Sequence, residues 1–208
     1  MKLLAFALPL AAAAALSTQT VTLTVVRTYD EPQSSWKLRF SGSVSNGQAG
    51  EEVTVMQQRC GTSSSTAVAA TQTRESGFWE AEPNYIVIAD SATYRARWKS
   101  ELSEPVVIRP EISVGVRKLR RPGRFQVWVS TGDVQQRMKG RVVVLQRLIS
   151  GKWTAIRRAR LGYDTVNGFS ATFLATFTVP RGWTLRAFVP AKTAAPCFKP
   201  NVSERWKS

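Results

Sequence analysis

The chain has no histidine. That single absence removes Ser-His-Asp and Cys-His nucleophile systems, histidine metal sites and the commonest general base. Cysteine is nearly missing as well, with Cys60 and Cys197 the only two, and two thiols without a histidine do not make a zinc site. The glycines fall at turns and show neither phosphate-loop nor dinucleotide-type spacing. Catalysis would therefore have to rest on carboxylates. Glu80 and Glu82 alternate onto one face of a strand and form the best pair for acid/base work, but a solvated polar face is the favoured reading of them. Asp133, Asp164 and Glu204 lie far apart in loops or the tail. No catalytic set, cofactor motif or metal site emerges, and a non-enzymatic protein is expected.

Long apolar runs are also scarce. The one present is Leu3 to Leu16, preceded by Lys2 and followed by the polar Ser17-Thr18-Gln19-Thr20. A basic start, a short apolar stretch and small residues at its exit are the layout of a secretory signal. The run falls short of the roughly 20 apolar residues of a comfortable span, so residues 1–17 are expected to be removed by cleavage near Ala15 to Ser17. No transmembrane segment is then expected, and the protein is placed outside the cell or in its envelope. No cysteine lies near the cleavage site, which disfavours a lipid-modified start. Export makes a Cys60–Cys197 disulfide permissible. Spacing alone leaves that bond and two free thiols equally open.

A sustained helical stripe is missing too. Trp36, Leu38 and Phe40 alternate with Lys37 and Arg39, and Phe125, Val127 and Val129 alternate with Gln126 and Trp128, the period of half-buried antiparallel strands. Turn signals such as Ser45-Asn46-Gly47, Pro122-Gly123 and Ser150-Gly151-Lys152 punctuate these runs. The pattern also occurs twice. Gly77-Phe78-Trp79 and Thr93-Tyr94-Arg95-Ala96 match Gly168-Phe169-Ser170 and Thr184-Leu185-Arg186-Ala187 at the same interval. Val53 to Gln58 matches Val142 to Arg147, and Thr66-Ala67-Val68 matches Thr154-Ala155-Ile156. The chain thus reads as all-β, with two tandem antiparallel sandwiches at 18–110 and 111–208 and a boundary near Arg109 to Glu111.

The residues that carry the second repeat resemble a known family. Gly140-Arg141-Val142-Val143-Val144-Leu145-Gln146-Arg147, Gly151-Lys152-Trp153-Thr154-Ala155-Ile156, Gly168-Phe169 and Trp183-Thr184-Leu185-Arg186-Ala187 are similar to the immunoglobulin-like, fibronectin type III-like repeats of bacterial secreted and cell-surface proteins. The first repeat departs from that pattern, with Ser63-Ser64-Ser65 where the second has Gly151-Lys152-Trp153. The resemblance spans most of residues 36 to 205 and implies an Ig-like sandwich. It implies no single function, because such modules serve as spacers, adhesins and glycan binders.

Charge separates the two halves. Residues 1–110 hold 10 Lys+Arg against 10 Asp+Glu, whereas residues 111–208 hold 19 against 4, so the whole net charge of +15 belongs to the second repeat. Arginine dominates, at Arg120, Arg121 and Arg124 and again at Arg157, Arg158 and Arg160. Its planar fork suits phosphate and carboxylate, and a single-sign field attracts polyanions. The expected partners of an exported protein are anionic cell-wall polymer, polysaccharide or lipid head groups. Nucleic acid is the weaker reading, since no readout module is visible. Seven tryptophans are present, of which Trp36 and Trp79 read as core. Trp128 points away from Val127 and Val129 and is the candidate aromatic contact; Trp153 and Trp206 are lesser ones, Trp206 in a tail expected to be disordered. Three functions follow: a binding module gripping an anionic surface through arginines, a structural spacer without a ligand, and a carbohydrate-binding module built on tryptophan. Asn201-Val202-Ser203 fits a glycosylation sequon, which the bacterial character of the repeats makes a poor guide.

Overall fold

A computed structural model describes residues 19–31, 35–83, 91–131, 138–167 and 170–208. Residues 1–17, expected to be a secretory signal, lie outside these residues, as do Asp133, Gly168-Phe169 and the side chains of Trp36 and Asp164. The first unit contains β1 Thr24–Asp30, β2 Ser35–Ser43, β3 Glu52–Arg59, β4 Ser65–Gln72, β5 Phe78–Ala81, β6 Ala92–Trp98, β7 Glu101–Leu102 and β8 Val106–Ile108. The second contains β9 Ser113–Lys118, β10 Arg124–Thr131, β11 Val142–Ile149, β12 Lys152–Arg160, β13 Gly162–Asn167, β14 Ser170–Thr178, β15 Thr184–Val189, a short helix α1 Ala191–Ala194, β16 Asn201–Val202 and β17 Trp206–Lys207. Among the described residues, no helix is long and apolar enough to cross a membrane.

Each unit is a pair of antiparallel sheets. In the first they run β1-β2-β5 and β4-β3-β6-β7, with β8 also on β6; in the second, β13-β14-β10-β9 and β12-β11-β15-β16, with β17 also on β15. Within the described residues, Val53 to Gln58 and Val142 to Arg147 lie on β3 and β11, Thr66 to Val68 and Thr154 to Ile156 on β4 and β12, and Thr93 to Ala96 and Thr184 to Ala187 on β6 and β15, which are equivalent strands. Alternation explains the two cores: Leu38, Phe40, Val53, Val55, Trp79, Tyr94 and Trp98 fill the first, and Phe125, Val127, Val129, Val143, Leu145, Phe173, Leu185 and Val189 the second. Burying each such side chain contributes about 1.5–3 kcal/mol.

The repeat extends to irregular features. The β3–β4 register slips between Val55 and Met56, and the β11–β12 register between Leu145 and Gln146. The extra residue is Val68 in one unit and Ile156 in the other, an apolar side chain in both. The Ser103 hydroxyl accepts from the Ala96 N–H and donates to the Glu104 carbonyl, and the Ser203 hydroxyl does the same with Ala187 and Glu204. The buried Ser203 is thus a structural pin. Trp206 is likewise ordered, contrary to the disordered tail expected from sequence: β17 pairs with β15, and the Trp206 ring lies 5.8 Å from that of Phe125.

The spacing of those serines exposes a difference. Ser103 follows Ala96 by seven residues and Ser203 follows Ala187 by sixteen, nine more. The added stretch holds α1 and Cys197, and Cys197 is bonded to Cys60 of the first unit. Register explains how they meet. Arg59 lies opposite Ala92, and Ala92 opposite Ile108, so the turn that carries Cys60 and the exit of the first unit share one end of a sheet. The connecting segment is tied to the same insertion: Lys199 N–H donates to Pro110 O at 2.9 Å, Ile112 N–H to Lys199 O at 3.3 Å and Asn201 Nδ2 to Ile112 O at 2.9 Å. Cys60 packs against the second core. On β1 of the first unit, Arg27 is held below the ordinary arginine range by burial, an effect that the carboxylate of Glu111 opposes.

A Cys60→Ser, Cys197→Ser double variant should keep both sandwiches and lose the splint between them. Denaturant unfolding should show a loss of roughly 2–5 kcal/mol, and X-ray scattering a larger radius of gyration. An unchanged radius would show that the backbone ties hold the junction alone.

Candidate anion-binding groove

The register of β12 against β11 begins in a two-residue turn. Ser150 and Gly151 both take positive φ, 48° and 77°, as a type I′ hairpin requires, and Ile149 is thereby set opposite Lys152. Leu148 then faces Trp153, and Gln146 faces Ala155, all on the outer side of the sheet. Without interruption, alternation would next bring Arg157 and Ala159 outward. The bulge at Ile156 shifts the phase by one. Arg158 therefore pairs with Val144 and Arg160 with Val142, both outward, while Arg157 pairs with the core residue Leu145 on the inner side of this edge strand. An inward-directed charge on an exposed edge also discourages further strand pairing.

These outward residues enclose an open depression of about 790 Å³, within the range of small-molecule sites. Val142, Val144, Ala155 and Phe188 give it an apolar floor; Arg141, Arg158, Arg160 and Lys192 stand around it, and among the described residues no carboxylate lines it. Part of the rim is fixed. Arg141 Nη1 donates to the carbonyls of Thr193 and Ala195, and Thr193 Oγ1 donates to Val142 O at 2.6 Å, so the insertion is bound to the start of β11 as a wall. Arg160 Nη1 donates to Gly140 O at 3.0 Å. Beside the groove, Arg186 lies 4.4 Å above the Trp153 ring and donates through Nε to Gln146 at 2.7 Å. All these groups are donors. The ion pairs Arg39–Glu82, Arg74–Glu80 and Lys99–Glu51 lie in the first unit. The groove can accept phosphate or carboxylate in the manner of a fork meeting an anion.

The arginines singled out by sequence are divided by the fold. Arg158 and Arg160 line the groove; Arg157 sits on the other side of their strand. Arg120, Arg121 and Arg124 belong to the β9–β10 hairpin of the opposite sheet, where Arg124 N–H donates to Arg121 O at 3.1 Å, and none of them lines the depression. Glu80 and Glu82 are exposed and each meets its own arginine, Arg74 at 3.5 Å and Arg39 at 3.4 Å. No group of three or more His, Cys, Asp or Glu among the described residues could hold a metal. Trp128 does face outward, but it has a structural occupation: it lies opposite Gly115 on β9, and a Cβ there would come within 2.3 Å of its ring. A tryptophan lying over a strand glycine covers backbone that the glycine leaves bare.

Sequence reading passed over Arg141, Lys192, Phe188 and the floor valines. The signal was available in the aligned repeats, at outward positions where the two differ. Neither a protein-family model nor a curated protein matches the chain.

Gly115→Ala should force the Trp128 ring off the sheet. The expected result is a destabilisation of about 1–3 kcal/mol with a red-shifted tryptophan emission, while Trp128→Ala in the same background should show little further loss.

Proposed function

We propose that the chain is an exported, non-enzymatic binding module of the immunoglobulin-like, fibronectin type III-like kind, whose second unit grips an anionic surface or polymer through the groove on its β12-β11-β15 sheet. The order of strands, first-second-fifth in one sheet and fourth-third-sixth in the other, supports the Ig-like part of this reading. The run from Lys2 to Ser17 supports export.

One internal comparison carries the binding reading. The outward positions equivalent to Val142, Val144, Arg158, Arg160 and Phe188 are occupied in the first unit by Glu52, Thr54, Ala70, Gln72 and Arg97. The same sheet is therefore built equally well with polar residues in the floor and neutral ones on the edge strand. Sheet formation does not demand the arrangement in the second unit, and a carboxylate is missing from it where the first unit supplies one. A spacer without a ligand gives no reason for clustering like charges, whose mutual repulsion is unfavourable.

The test is retention of the mature protein on an anionic wall polymer or heparin-like resin across a salt gradient. Binding should weaken steeply with salt, since exposed charges are screened within about 8–10 Å at physiological ionic strength. Arg158→Glu with Arg160→Glu should remove most of the retention and leave the unfolding midpoint within a few degrees. Arg120→Glu with Arg121→Glu changes the net charge equally and should have a much smaller effect. Equal losses from both pairs would reduce the groove to a share of the general positive field.

A further inference from the structure

Beyond its charge, the groove has a direction. Strand register aligns Arg158 on β12, Val144 on β11, Phe188 on β15 and Val202 on β16 in one row across the sheet. Three steps of about 4.8 Å between strands make this row roughly 14 Å long. Arg158 stands at one end, flanked along the same edge by Arg160, and the other three positions are apolar. Val144 is sunk into the floor and Val202 is 38% exposed. The matching row of the first unit reads Ala70, Thr54, Arg97 and Leu102, so no apolar stripe with a cationic end exists there.

A simple polyanion needs only the rim. A phosphate polymer makes no apolar contact with valine or phenylalanine, and the part of the stripe that stays exposed, Val202 above all, is unfavourable by about 25 cal/mol per Å² of apolar surface. We infer that the ligand of this groove is an anionic lipid, with its acyl chain along Val144, Phe188 and Val202 and its phosphate on Arg158 and Arg160. This rests on the anion-binding reading above and narrows it to one chemical class. Binding is noncovalent: the phosphate accepts hydrogen bonds from the guanidinium groups while the chain displaces water from the stripe. The arginine stems can lie along the chain while their heads hold the phosphate.

Dodecyl phosphate below its micellar concentration, ethyl phosphate, dodecyl maltoside and long-chain polyphosphate separate the cases by titration calorimetry on the mature protein. Dodecyl phosphate should bind in a single saturable step at least tenfold more tightly than ethyl phosphate and than dodecyl maltoside. Phe188→Thr should cancel that chain-length advantage and leave polyphosphate binding unchanged. Because the comparison of chain lengths is made on the unaltered protein, it stands even if the variant folds poorly. Equal affinity for the two phosphates, with polyphosphate still bound through Arg158 and Arg160, would overturn the lipid assignment and keep the polyanion one. Equal affinity for the phosphate and the maltoside would overturn it as well. If Arg158→Glu with Arg160→Glu left polyphosphate binding unaltered, both readings would fall together.

Discussion

Cross-strand pairing dictates only half of each strand in this protein. Once β11 is locked between β12 and β15, alternation sends Val143 and Leu145 inward, and the core requires them to be apolar. Val142, Val144 and Gln146 face away, where the core makes no demand. The two units obey the same inward rule with different residues, Val53 and Val55 against Val143 and Leu145, and diverge at the outward positions. Shared fold and unequal charge are thus two sides of one geometric constraint.

The bulge and the insertion turn that freedom into a site. Slippage at Ile156 brings Arg158 and Arg160 to the face that carries Trp153 and Ala155; an unbroken strand would have presented Arg157 and Ala159 instead. The nine-residue insertion after β15 then does two things at once. Its helix closes the groove through Thr193 and Arg141, and Cys197 just beyond fastens it to the first unit. Groove wall and inter-unit splint are one continuous segment. The first unit thereby acts on the site through covalent and backbone ties rather than by lining it.

Much of the fold was legible in the sequence, because period-two alternation and the doubled blocks record the inward constraint directly. Trp79 could be read as core, Trp128 as outward and Arg158 with Arg160 as sharing a face. The site was legible only in part. Two runs of arginine stood out without showing whether they share a face, and Arg120 and Arg121 close a hairpin of the other sheet. A bulge leaves no mark in composition, so the face shared by Trp153 and Arg158 was hidden. Phe188, Val142 and Val144 stand beside the core residues Ala187, Val143 and Leu145 in short apolar runs, and only the pairing with Arg158 and Val202 separates their roles. Trp206 lacked alternation around it because β17 is two residues long, and Cys197 gave no hint of geometry.

The most direct test of the outward-face account is residue-by-residue mapping of amide chemical shifts as the protein is titrated with an anionic ligand such as pyrophosphate. The account predicts that perturbations concentrate on Val142 to Gln146, Ala155 to Arg160, Arg186 to Phe188 and α1, with the equivalent strands of the first unit unmoved. Perturbations centred on the Arg120–Arg124 hairpin, or shared evenly by the two units, would contradict it.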